Sequence, residues 1–315
     1  MLSPNDDQQP LLQELPANKW DEKAAQRSLD ELFIHARQYK SSNAYESLIG
    51  FCSRFRFYSP YNAMLINIQM PGATFAAPAN RWKSLYKRTI KPGARPLVIL
   101  QPMGPVMFIF DVADTLAGQD SIALPREVEE PFEIFKGDLG QQLEKTLDNA
   151  KRDGIRITMT REGSQSAGSI GVTKEKKAAM LDYPNGKDEN GNQNYIQIPV
   201  RYDLLCNEKL SREARYATMV HELSHLYCGH LGTPNEKWWP DRRGLHHTTR
   251  EFEAESVTYL ICARIGIDNP SAAYLANYVK ANEEVPDISL DRVLKAAGLI
   301  EQMGLSHLKP RKAKD

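Results

Sequence analysis

Residues 221–225 read His-Glu-Leu-Ser-His. In a helix, His221 and His225 lie four positions apart and project from one face, where two imidazoles can share one metal ion. Glu222 sits one step round, toward the open side of that ion. A carboxylate there can take a proton from an attacking water and pass it to a leaving amine. The pattern points to hydrolysis of an amide bond, with one Zn2+ as cofactor and Glu222 as general base.

Two histidines do not complete a zinc site; a third protein ligand is needed. The extended metzincin pattern is excluded, because Cys228 and Leu231 stand where it needs a glycine and a third histidine. A following helix offers Glu251, Glu253 and Glu255. Glu251 and Glu255 are one turn apart and share a face, while Glu253 points elsewhere. Glu251 is the preferred ligand, with Glu255 behind it as the carboxylate that orients a ligand imidazole. The other reading takes Thr248-Thr249-Arg250-Glu251 as a capping box, which leaves Glu255 as the ligand. His246, His247 and Tyr259 are candidates to orient substrate or steady a developing oxyanion. His230, in a loop, is expected to face solvent, and Cys228 and Cys262 to pack as small apolar residues.

The elements that must hold these residues follow from periodicity and breakers. Ser211 is suited to N-cap the helix carrying His221 and His225, and a second helix is expected from Thr249 to Ile265. Upstream, GIRITMT (154–160) and YIQIPV (195–200) read as strands, the second as an edge for an extended substrate. A helix is expected at 140–152. In the first half, helices are expected at 21–39, 44–57 and from Pro60, and again over RWKSLYKR. Strands are expected at 95–100 and 106–110, with a turn at 102–105 and a proline-punctuated linker over 117–135.

Charge is balanced overall, with 40 basic and 40 acidic residues among 315, but not locally. Between Ser47 and Phe110 there is no Asp or Glu, against eight cations: Arg54, Arg56, Arg81, Lys83, Lys87, Arg88, Lys91 and Arg95. Aromatic residues, including Tyr58, Tyr61, Trp82 and Tyr86, are interleaved with them. Cations that neutralise phosphates beside rings that stack on bases are what single-stranded nucleic acid needs. The competing reading makes the rings core and the cations a solvated face. No apolar run approaches a membrane span, the start is acidic with no signal-peptide core, and the four cysteines form no CxxC pair. The expected setting is cytoplasmic and reducing, with no membrane partner.

The order of pieces resembles the ArdC antirestriction family. The run YSPYNAMLINIQMPGATFAAPANRWKSLYKRTIKPGARPLVILQP, then FIFDVADT, carries its N-terminal pattern in Asn62, Gln69, Pro71, Ala73, Thr74, Trp82, Lys83, Lys91, Gly93, Asp111 and Thr115. Ala94-Arg95 departs from it, where the family often has a second glycine and lysine. The later half is similar to zincin-type peptidase domains, with Glu251 and Glu255 matching their second helix. The resemblance implies an α+β chain: segment 1–18, a mixed helix and short-sheet single-stranded-DNA-binding domain at 19–125, a zincin-like (gluzincin-type) metallopeptidase domain at 126–305, and a basic tail at 306–315. It implies protection of incoming DNA during conjugative transfer, with a protein or peptide substrate. For the first domain the expected contacts are Arg54, Arg56, Tyr58, Tyr61, Asn62, Arg81, Trp82, Lys83, Tyr86, Lys87, Arg88 and Lys91. The alternatives are a DNA-binding protector with a non-catalytic metal site, and a peptidase that cleaves a repressor.

Overall fold

The computed structural model describes residues 42–101, 104–124, 137–161, 167–175, 179–267, 271, 275 and 285–311. The expected segment 1–18, the helix at 21–39 and most of the linker lie outside them. Helices and small sheets share the chain, as the α+β expectation has it. The chain divides into two compact units, one of residues 1–37 and 62–133, the other of residues 38–61 and 134–315. Residues 38–61, which the sequence places before the break at 125, thus group with the later half.

In the first unit, α2 (Pro60–Gln69, its first two residues grouped with the other unit) is followed by β1 (Ala76–Ala77), α3 (Ala79–Leu85) and β2 (Arg88–Ile90). Then come β3 (Leu97–Gln101), β4 (Gly104–Asp111) and β5 (Thr115–Ala117). One sheet has the order β1-β4-β3, and β2 pairs with β5. The core forms round Trp82, which is fully buried among Phe75, Ala77 and Phe110 and donates its indole N–H to the Phe110 carbonyl at 2.9 Å. Burying that ring costs nothing in lost hydrogen bonds, because its one polar atom finds a partner. Asp111 is buried too, accepting from the backbone amides of Thr74, Phe75 and Ala113.

Strand β3 is an edge, and α2 closes it with side chains. The Asn62 amide donates to the Leu100 carbonyl and accepts from the Leu100 N–H, both at 3.0 Å. Gln69 does the same for Val98, at 2.8 and 2.9 Å. Two primary amides therefore stand in for a neighbouring strand and pair backbone groups that would otherwise face outward.

The second unit begins with α1 (Ser42–Arg54). After the first unit come α4 (Gln142–Ala150), β6 (Ile155–Thr160), β7 (Gly168–Val172), β8 (Met180–Lys187), β9 (Gln193–Pro199) and β10 (Tyr202–Asn207). Helices α5 (Arg212–Tyr227), α6 (His247–Ile265) and α7 (Leu290–Leu305) complete it. The sheet order is β6-β10-β7, with β10 parallel to β6 and antiparallel to β7, while β8 and β9 form a separate hairpin. The expected substrate edge at 195–200 is corrected accordingly: it pairs in that hairpin, and the edge strand lying against α5 is β7. Gly168 permits the approach. A Cβ there would come within 2.6 Å of the Thr218 methyl and 2.9 Å of the Leu205 carbonyl, and 3.6 Å from Glu222 Cγ. Among the described residues no helix is long and apolar enough to cross a membrane.

Candidate metal centre

Helix α5 starts where the sequence places it. Ser211 is the N-cap, its hydroxyl accepting from the Ala214 N–H at 3.2 Å. One face, with Met219, Val220, Leu223 and Leu226, is fully buried, which fixes the helix rotation and leaves His221 and His225 half-buried on another. Helix α6 begins at His247, two residues earlier than expected. Its N-cap is His246, which accepts from the Thr248 N–H at 3.4 Å. With the start set there, Glu251 is not the third residue of a Thr248-led capping box, and its carboxylate faces α5.

His221 Nε2 and His225 Nε2 lie 3.2 Å apart. Glu251 places Oε2 3.7 Å from the first and Oε1 3.5 Å from the second. Ligands bound at about 2.0–2.1 Å in a tetrahedron stand roughly 3.3–3.4 Å from one another. The three donors therefore fit a single small divalent ion such as zinc. Cys228, His230 and Glu253 form a second group with donor atoms within 4.8 Å of one another, wholly buried.

The electrostatics agree with a ligand triad. His221 is pulled two ways: burial disfavours its charge, yet Glu251, Glu255 and Glu222 together raise its pKa above the usual imidazole value. Burial, then the neighbouring His221, pushes His225 down to about 3. The His221 imidazole holds the Glu251 carboxyl far below the usual range, against the opposing effect of burial. Glu222 moves the other way: burial raises its pKa, and Glu251 adds to the rise. Its carboxylate accepts the Ile170 backbone N–H, so it is held between α5 and β7.

The remaining expected residues separate. Glu255 Oε1 lies 3.6 Å from His221 Nδ1, on the outer side of that ring. His247 is exposed at the rim, its Nε2 3.7 Å from Glu251 Oε1. His246 is tied to its cap, and Tyr259 packs against the cluster of Tyr45, Ile49 and Phe252. His230 is not the solvent-facing residue expected: it is 2 % exposed and touches both His225 and Glu253. The turn after α5 puts it there. Gly229 has φ of 89°, and a Cβ on it would lie 2.2 Å from the Pro240 carbonyl. Only glycine allows that fold-back, which also brings Arg242 onto the Gly229 carbonyl and against Glu253. Glycine after the helix was the sequence signal, but nothing in its spacing named Glu253 as the target.

The expected DNA contacts are divided between the units. Arg54, Arg56, Tyr58 and Tyr61 belong to the metal-site unit, where Tyr58 stacks on Phe55 and Lys295 lies 5.6 Å from the centre of the Tyr61 ring. Trp82 is corrected from stacking platform to core, since no face of the ring reaches solvent. Asn62 is likewise occupied in sealing β3. Tyr86 is half-buried against Phe75 and Trp82, and Arg88 donates to Thr115 Oγ1. Arg81, Lys83, Lys87 and Lys91 are exposed, with Lys91 Nζ 2.6 Å from the Ala113 carbonyl.

No family model matches this chain, and no curated protein does. Among solved structures it is similar to two crystal structures of the antirestriction ArdC protein from plasmid R388. The metal-free form is 14% identical with a TM-score of 0.31, covering 78% of this chain and 82% of that one. The Mn(II)-bound form is 13% identical with a TM-score of 0.32, covering 90% and 96%.

Proposed function

We propose that this protein is a zinc-dependent metallopeptidase of antirestriction type, joined to a single-stranded-DNA-binding unit, that protects incoming DNA during conjugative transfer. The observation that carries the peptidase reading is the meeting of His221 Nε2, His225 Nε2 and the Glu251 carboxylate beside the half-buried Glu222. Those three residues would hold the ion, which when bound polarises a carbonyl and makes water a stronger acid.

The chain's own residues supply the rest. Glu222 takes the proton of the attacking water on its carboxylate and returns it to the leaving amine nitrogen. Its raised pKa suits both halves of that task, since a base poised closer to neutrality can also release the proton as an acid. The Ile170 N–H fixes the carboxylate against β7. On its other side β7 has no strand partner among the described residues, so an extended protein or peptide substrate can add there as a further strand. The DNA reading is supported by the order of motifs in the sequence and by the exposed cations of α3 and the following turns, Arg81, Lys83, Lys87 and Lys91.

Glu222→Gln is the test. It is expected to retain zinc and lose about 10²–10⁴-fold in peptide hydrolysis. A variant that keeps zinc and full protection of incoming DNA would overturn the catalytic reading in favour of a non-catalytic metal site.

A further inference from the structure

The second buried donor group is the place where the molecule holds more than the motif required. Cys228, His230 and Glu253 could be read as a second metal site, but Glu253 is already committed. Arg242 Nη1 and Nη2 grip its two oxygens at 2.6 and 2.7 Å, and the Ser289 N–H donates to Oε1 at 2.7 Å. A dication there would sit against a guanidinium in a dry site. The thiol is also ill-suited, since burial, with Glu253 adding to it, raises the pKa of Cys228 well above the usual thiol value. The cluster has a different arrangement: a line of hydrogen bonds that ends at the first metal site.

The direction of each bond follows from its partners. Arg242 Nη1 and Nη2 and the Ser289 N–H all donate to Glu253. Its oxygens can therefore only accept, so His230 Nε2, 2.9 Å away, carries a proton and donates it. His225 turns Nε2 toward the metal site, so its proton sits on Nδ1 and needs an acceptor, which His230 Nδ1 supplies. That atom lies 3.0 Å from His225 Nδ1, which must donate to it.

Resting on the metal-site reading above, we propose that Arg242, Glu253 and His230 form a positioning relay that keeps the His225 proton on Nδ1 and turns the Nε2 lone pair toward the metal. His221 is arranged alike, with Nε2 inward and Nδ1 toward Glu255. The difference is that an entire imidazole is inserted between His225 and its carboxylate. The carboxylate can then stay wholly buried, 0 % exposed, while the ligand remains at the site. Ring orientation and tautomer are thus set before any ion arrives, and affinity gains from that order.

Two measurements on the full chain test the relay. The first uses metal-free wild-type protein labelled with 15N at histidine, its signals assigned through single histidine variants. The relay requires His225 protonated at Nδ1 and His230 at Nε2; a His225 proton found on Nε2 overturns it. The tautomers are read on the wild-type protein itself, and the variants serve only to assign its signals. The second titrates zinc against a chromophoric chelator. His230→Phe fills the same space without a polar atom and is expected to weaken zinc binding about 10–100-fold. Zinc affinity within twofold of wild type would overturn the relay while leaving the metal site intact. Wild-type protein that takes no zinc at all would overturn both.

Discussion

Polar side chains serve opposite ends in the core of the first unit and at the candidate metal centre of the second. In the first, Asn62, Gln69, Trp82 and Asp111 all bond to backbone, and the bonds reach 28 to 38 residues along the chain. In the second, His221, His225 and Glu251 turn their inner atoms toward one another, 3.2–3.7 Å apart, and are held from behind by Glu255 and by the His230 relay. Polar groups paired to backbone are scaffold. Donors that crowd one another without backbone partners are kept in an arrangement that gains from a further charge, and that is how a site is distinguished from a buried polar core.

Substitutions can break or sharpen that contrast. The largest effect is expected from His225→Ala, which removes an inner donor. Zinc affinity should fall by more than about a hundredfold, beyond what loss of an outer partner costs, as read by chelator competition. Undiminished zinc content would place the ion elsewhere. Trp82→Ala should act on the fold instead, costing about 3–5 kcal/mol in denaturant unfolding of the first unit, because a filled core position is emptied. Were the unit equally stable and only DNA binding lost, Trp82 would be a site residue after all.

A smaller effect is expected from Lys83, Lys87 and Lys91 changed together to Ala, which touches neither core nor metal. Binding of labelled single strands should weaken, and the slope of log K against log salt should shrink by up to about 2, at roughly 0.7 per lost phosphate contact. An unchanged slope would remove these cations from the interface. The smallest effect is on stability. The raised pKa of Glu222 means that the fold disfavours its carboxylate form. The metal-free protein is therefore penalised above that pKa, and the penalty fades as pH falls through it. Metal-free Glu222→Gln should melt above wild type at neutral pH, with the gap closing on acidification in a series of thermal melts.

What could be read in advance followed the same division. The spacing of His221 and His225 survives folding because a helix converts sequence distance into a fixed geometry, and Ser211 marks where that helix begins. The choice of Glu251 over Glu255 depended on where α6 starts, which the His246 cap decides and propensity does not. His230 and Glu253 were hidden for a different reason. Their meeting is made by the Gly229 turn and an Arg242 thirteen residues beyond it, a tertiary closure with no period. The acid-free stretch was less legible because composition is an average. Trp82 is core, Tyr58, Tyr61 and Tyr86 are half-buried, and the cations are divided between units.

Asn62 and Gln69 also decide how the molecule behaves in company with its own copies. A bare strand edge is a template on which any passing strand can be laid, and crowded chains that own one tend to grow by edge-to-edge accretion. By occupying the N–H and C=O groups of Val98 and Leu100 with amides that cannot propagate a sheet, the helix makes β3 a terminus instead of a seed. Among the described residues the chain thereby leaves an edge open at β7, where the proposed substrate strand would add, and closes the edge at β3.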